Sequence, residues 1–214
     1  EYDTDLPRVL DFTVVQRHST SEGTPKNFAL VQGDAASLDP CEIAEPFGEP
    51  TCLVSNLPYQ VAATVVLRYF EIFENMQSAT VMVQAEVAQR MSATPGNKNY
   101  GAYTAKLNLL ARASKMFAVS RQSFLPPPRV ESTVIRLERQ TLVASRAEYD
   151  RIARVIDGSF VQRRKTLRNN LKTSLGLSSQ RVEAACVTIG IDPGVRAEML
   201  HVEQFIALAD ALEN

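Results

Sequence analysis

The chain lacks several features that would each have pointed to a different class of protein. Its 214 residues contain no run approaching the roughly 18 apolar residues of a membrane span. No signal-peptide pattern stands at its start, so a soluble, cytoplasmic protein is expected. There are only two histidines, His18 and His201, far apart and without ligand-like neighbours, and no metal site is expected. The three cysteines, Cys41, Cys52 and Cys186, are odd in number and form no CxxC pair. They read as buried, reduced thiols rather than a disulfide framework. Net charge is only -1, so any nucleic-acid contact must come from a local patch. No internal repeat or low-complexity tract is present. No GxGxG turn occurs anywhere, which removes the usual signature of a dinucleotide site.

What is present is an alternation of strand-like and helix-like segments. Apolar spacing through Leu6, Val9, Leu10 and Val14 predicts a helix over Asp5–Gln16. Strands are predicted at Phe28–Gln32, Thr51–Ser55, Ala79–Gln84, Lys115–Val119 and Ser132–Leu137. Helices are predicted at Val61–Phe73, Glu86–Ala93 and Ala102–Ala113, with a loop over Pro95–Gly101. This order indicates a doubly wound α/β domain over residues 1–139. After Arg139 no strand signal remains. Ala147–Val161, Arg164–Leu175, Ser179–Ile189 and Val202–Leu212 read as helices, punctuated by Gly176, Gly190 and Pro193, so residues 140–214 are expected to form a small helical domain.

The most informative residues are Asn56-Leu57-Pro58-Tyr59. They follow an apolar run that reads as a buried strand, so they sit at a strand's carboxyl end, where open α/β sheets bind ligands. A buried Asn needs hydrogen-bond partners, and a substrate amine supplies them. The Tyr59 ring suits stacking on a flat base. Asp34, in Gly33-Asp34-Ala35, ends a strand candidate. It reads either as a plain turn or as an acceptor for an exocyclic amine. Phe124 lies in a proline-stiffened loop, Ser123 to Ser132, and is either core or a second aromatic face opposite Tyr59. Arg163, Arg164, Lys165, Arg168 and Lys172 form a cluster of one sign with no acid among them. Arg164, Arg168 and Lys172 share a predicted helix face, and Asn169 and Asn170 add hydrogen-bonding groups, which favours phosphate contacts over a merely solvated face. Glu1 taken alone is an uninformative terminal acid.

Together these blocks resemble the ribosomal RNA adenine dimethyltransferase family. The carriers are Glu1-Tyr-Asp3, Gly33-Asp-Ala35, Asn56-Leu-Pro-Tyr59, Val83 to Met91, Phe124 to Ser132, Phe160 to Leu171, and Gly190-Ile-Asp-Pro with Arg196-Ala-Glu198. Their order and spacing run the length of the chain. The resemblance implies a Rossmann-like class I methyltransferase domain followed by a helical RNA-binding domain. It implies transfer of methyl groups from S-adenosylmethionine to N6 of two adjacent adenines near the 3′ end of small-subunit (16S) ribosomal RNA, within the immature 30S subunit, by a monomer. By position, Glu1 would bind the cofactor ribose and Asp34 its adenine. Asn56 would contact cofactor and target, the Leu57 carbonyl would hold the target amine, and Tyr59 and Phe124 would sandwich the base.

One departure matters. The family's glycine-rich cofactor loop has no counterpart, so the resemblance implies a chain lacking the amino-terminal part of a longer protein. A gap is then expected in the sheet between Phe28–Gln32 and Thr51–Ser55, and cofactor binding is expected to be poor. Two other readings compete. One is a macrolide-resistance methyltransferase of the large-subunit RNA, against which the Gln162-to-Asn170 block weighs. The other is a non-catalytic small-subunit assembly factor.

Overall fold

The computed structural model describes residues 27–213 together with Val9, Leu10 and Thr13. Those three are helical, and the rest of the expected Asp5–Gln16 helix lies outside the described residues. The described chain builds a mixed sheet with helices packed on it, followed by helices alone. The elements run α1 (Pro40–Ala44), β1 (Cys52–Asn56), α2 (Ala62–Ile72), β2 (Ser78–Gln84), α3 (Ala85–Met91), α4 (Ala102–Leu110), β3 (Ala111–Val119) and β4 (Ser132–Arg139). Then come α5 (Arg146–Ser159), α6 (Leu167–Leu175), α7 (Ser179–Thr188) and α8 (Val202–Glu213).

Sheet order is β1-β2-β4-β3. β1 runs parallel to β2, while β4 is antiparallel to both of its neighbours. Asn56 pairs with Met82, and Ser132 pairs with both Gln84 and Val119. The carboxyl ends of β1, β2 and β3 and the amino end of β4 therefore meet at one end of the sheet.

Side chains alternate across a strand, so the register separates two faces. Ala79, Val81, Val83, Ile135 and Leu137 are each at most 1% exposed and face the core. Across the other face, Val54, Thr80, Arg136 and Lys115 form one row and Asn56, Met82, Val134 and Phe117 the next. That face is open, with Val54 76% and Phe117 61% exposed.

Several expectations shift. β1 was expected to be buried. It alternates between exposed and half-buried because, among the described residues, it pairs with β2 alone. Phe28–Gln32 is not a strand of the described sheet. Its apolar signal is local, whereas a strand exists only through a neighbour about 4.8 Å away. The Ala102–Ala113 helix stops at Leu110, and β3 begins at Ala111. Pairing of Ala111 with Arg139 and of Arg112 with Glu138 overrides the helical preference of an alanine- and leucine-rich run. Only Cys186 of the three cysteines is buried. Cys52 lies on the open face of β1 and Cys41 on the exposed first turn of α1.

The helical segment joins the sheet through one continuous apolar core, from Leu57 through Phe70 and Ile135 to Phe205 and Leu212. Ser145, Thr166 and Ser178 cap α5, α6 and α7 by accepting a backbone N–H, which stops each helix from fraying. Arg139, the last residue of β4, donates to the carbonyls of Phe70 (2.9 Å) and Phe73 (2.7 Å) and to that of Met76, tying together the end of α2 and the loop that follows it. The loop before α4 is gripped by the helical segment. Gly96 N–H donates to Glu198 (2.8 Å), the Tyr100 hydroxyl to the Leu200 carbonyl (3.0 Å), and Arg163 to the Lys98 carbonyl. Among the described residues, no helix is long and apolar enough to cross a membrane.

Candidate active site

Asn56 ends β1 on the same face as Val54. It is exposed, not buried as expected, because it belongs to the open face of an edge strand. Among the described residues its side chain has no hydrogen-bond partner. The next residue reverses the picture. Leu57 is 7% exposed and its side chain enters the core. Its N–H donates to the Met82 carbonyl at 3.3 Å, extending the ladder by one bond. No donor among the described residues reaches the Leu57 carbonyl. The buried leucine thus anchors a turn that leaves two acceptors free, the Asn56 carboxamide oxygen and the Leu57 carbonyl.

Pro58 is exposed, and its carbonyl receives the N–H groups of Val61 (3.2 Å) and Ala62 (3.1 Å), which starts α2 immediately after the turn. Tyr59 is half-buried, and its hydroxyl lies 3.3 Å from that of Ser132 at the start of β4. Phe124 follows a short 3-10 turn, Arg121–Ser123, in the loop from β3 to β4. It is half-buried and not part of the core, with Leu125 beside it 98% exposed. No ring contact joins Phe124 to Tyr59. The topology nevertheless carries both loops to the same end of the sheet.

Asp34 is exposed and holds a tight turn. One carboxylate oxygen accepts from Ala36 N–H at 2.9 Å, and its carbonyl accepts from Ser37 and Leu38. The turn reading is therefore satisfied, while the second carboxylate oxygen has no partner among the described residues. Arg68 of α2 donates to the Leu38 carbonyl at 3.0 Å and ties this turn to the helix that follows Tyr59. Glu1 lies outside the described residues.

The basic cluster divides. Helix α6 begins at Leu167, so Arg163, Arg164 and Lys165 precede it in an exposed turn, and Arg164 does not share a helix face with Arg168. The Thr166 cap sets that later start. Arg163 is tied to Lys98, and Arg168 pairs with Glu183 at 2.6 Å. Arg164, Lys165 and Lys172 are exposed and form no ion pair among the described residues. Asn170 is 3% exposed and is not a surface group: it donates to the carbonyls of Ser159 (2.6 Å) and Gln162 (3.1 Å) and accepts from Gln162 N–H (3.1 Å). Asn169 is exposed. Sequence reasoning assigned no role to Ser132, although it closes the Phe124 loop. The signal was its place as first residue of the last strand.

A cleft of about 190 Å³ lined by Phe70, Arg139, Arg146 and Tyr149 sits where β4 leads into α5. A flat base stacked on a half-exposed ring needs a platform, not a cavity. Among the described residues, no group of three or more His, Cys, Asp or Glu could hold a metal ion.

Two free acceptors beside a tyrosine at a strand end suit an aromatic amine. Residues 10–214 match the family model described as ribosomal RNA adenine dimethylase. The chain belongs to that family.

Among curated members, a ribosomal RNA small subunit methyltransferase A of Streptomyces griseus is 44% identical over 187 residues, covering 86% of this chain. One of Rhodococcus erythropolis is 38% identical over 212 residues, covering 98% of it. The chain spans 62% of the first relative's length and 69% of the second's. The dimethylase family uses S-adenosylmethionine as methyl donor. The fold is shared with solved structures. A dimethyladenosine transferase from Plasmodium falciparum gives a TM-score of 0.72 at 20% identity, covering 97% of this chain and 78% of that one. The 23S rRNA methyltransferase ErmE gives 0.67 at 22%, covering 100% and 80%.

Proposed function

We propose that the protein dimethylates N6 of two adjacent adenines near the 3′ end of 16S ribosomal RNA, in the immature 30S subunit and in the cytoplasm, acting as a monomer. The observation that carries this reading is the pair of unpartnered acceptors, Asn56 carboxamide and Leu57 carbonyl, fixed beside the half-exposed Tyr59 ring. An adenine N6 lone pair is delocalised into the ring and is a poor nucleophile. Acceptors on its two protons favour a pyramidal nitrogen with a localised lone pair. Tyr59 on one face and Phe124 on the other would hold the unstacked base flat. Alignment for in-line attack is then the protein's main contribution.

S-adenosylmethionine supplies an activated methyl group when bound. The residues present fit it in part: the free Asp34 carboxylate oxygen suits its adenine amine, and Asn56, at the strand end, would contact both cofactor and target. Glu1 would take the ribose. Residues 1–139 form the methyltransferase domain and 140–214 the RNA-binding domain, whose exposed Arg164, Lys165 and Lys172 would contact phosphates, with Arg163 and Arg168 bracing that surface. The small-subunit names of the relatives favour this RNA over the large-subunit one.

The test is methyl transfer to small subunits by the full-length protein. Asn56→Ala and Tyr59→Ala should each abolish dimethyladenosine formation while the fold, followed by circular dichroism, stays intact. Near-normal yield from either variant would overturn the assignment.

A further inference from the structure

The loop that carries Phe124 closes on two adjacent residues that the reading above leaves without a role. Ser132 is 1% exposed, and its hydroxyl faces the Tyr59 hydroxyl at 3.3 Å. Glu131, just before it, accepts from the Arg121 N–H at 3.2 Å and pairs with the Arg121 guanidinium at 3.5 Å. Its carbonyl accepts from the Ala85 N–H at 3.0 Å, where β2 ends. Phe124 N–H in turn donates to the Arg121 carbonyl at 3.3 Å. One dipeptide is therefore bonded to Tyr59, to the turn that presents Phe124, and to the end of the central strand.

We infer that Glu131 and Ser132 are positioning residues that fix the Tyr59 and Phe124 rings relative to each other for the target base. This rests on the reading of those two rings as the walls that hold it. The mount is rigid because Ser132 is paired on both sides, to Gln84 and to Val119. Through the Ser132 hydroxyl the first wall is referred to β4. Through the Glu131 carboxylate the second wall is referred to the same point of β4. Neither residue needs to touch substrate. The 3.3 Å contact is longer than the usual O–H···O distance of about 2.8 Å, so in the free protein the tether is formed but not at full strength. Such contacts tighten when the reacting complex forms. Its effect should then fall on turnover rather than on capture of the subunit.

The experiment uses the full-length protein and Ser132→Ala, Tyr59→Phe and the double variant. Each single change should lower kcat about three- to tenfold, the fold-change of one hydrogen bond, with KM and subunit affinity unchanged. The double variant should fall no further than either single one, because both remove the same tether. Wild-type kcat in Ser132→Ala, or losses that multiply in the double variant, would overturn the inference. A second reading needs no methyl transfer. With 13C-labelled tyrosine, the Tyr59 ring should flip faster in Ser132→Ala than in the wild type, and an unchanged flip rate would also overturn it. A wild-type protein that methylates no ribosomal RNA would refute the proposed function, while the ring-flip measurement still decides the tether.

Discussion

Asn169 and Asn170 are neighbours of the same type in a basic segment, and the structure gives them opposite fates. Asn170→Ala removes three hydrogen bonds, two donated to the Ser159 and Gln162 carbonyls and one accepted from Gln162 N–H. At a net of about 0.5–1.5 kcal/mol each, the loss is about 1.5–4.5 kcal/mol. The Gln162 groups can turn to water, since Gln162 is exposed. Ser159 is fully buried, so its carbonyl loses this partner without gaining water. A value near the middle, about 3 kcal/mol, follows. For a chain of this size that is a fall in Tm of about 6–12 °C. Asn169→Ala removes an exposed side chain from a helix and should stay within about 0.5 kcal/mol of the wild type. Urea unfolding followed by circular dichroism measures both, and the m-value should be unchanged. Subunit binding should weaken in Asn170→Ala as well, because Asn170 pins the turn that holds Arg163, Arg164 and Lys165. If the two variants unfold at the same urea concentration, the assignment of Asn170 as the buried brace is wrong.

The basic surface should divide along the line the ion pairs draw. Changing Arg164, Lys165 and Lys172 singly to Gln should each flatten the salt dependence of small-subunit binding by about 0.7–0.9 in logarithmic slope, while Arg168→Gln, whose charge faces Glu183, should change it less. Equal slopes for all four would mean the RNA is held elsewhere. Arg139→Leu should cost about 2–4 kcal/mol by stranding the carbonyls at the end of α2, and Arg139→Lys should recover less than half, since an ammonium cannot match the guanidinium fork; urea midpoints test both. Burial pushes the Tyr100 phenol up to about 12. Its folded pKa exceeds the ordinary value of about 10, so its contribution to stability is present below pH 10 and lost between about 10 and 12. Urea midpoints across that window should fall less steeply in Tyr100→Phe than in the wild type.

Much of the fold was legible because its signals are local. The apolar runs at β1, β2 and β4 and the helical periods of α2, α5, α7 and α8 each appear within a few residues of their observed bounds. The placement of Asn56 to Tyr59 at a strand's carboxyl end was legible for the same reason. Burial of β1 was not, because it depends on how many neighbours the strand finds. An apolar pentapeptide reads identically at the centre of a sheet and at its edge. The start of β3 was hidden in the same way: Ala111 to Ala113 continue a good helical pattern, and only pairing with β4, residues 137–139, ends it.

The basic segment shows why charge counts alone mislead at a site. Five cations in ten residues predict a phosphate surface, yet Arg163 spends its guanidinium on a carbonyl of the neighbouring loop and Arg168 on Glu183, a residue fifteen positions away. Composition registers all five alike because it carries no distance. The two engaged arginines brace the segment that carries the other three, which form no ion pair among the described residues. Arg163 couples the turn to the loop before α4, and Arg168 couples α6 to α7, so Arg164 and Lys165 are displayed from a turn braced at both ends and Lys172 from the helix that follows. A turn held in this way presents its charges at fixed spacing. The same economy operates at the end of β1, where the buried Leu57 side chain leaves its own carbonyl and the Asn56 amide without partners among the described residues.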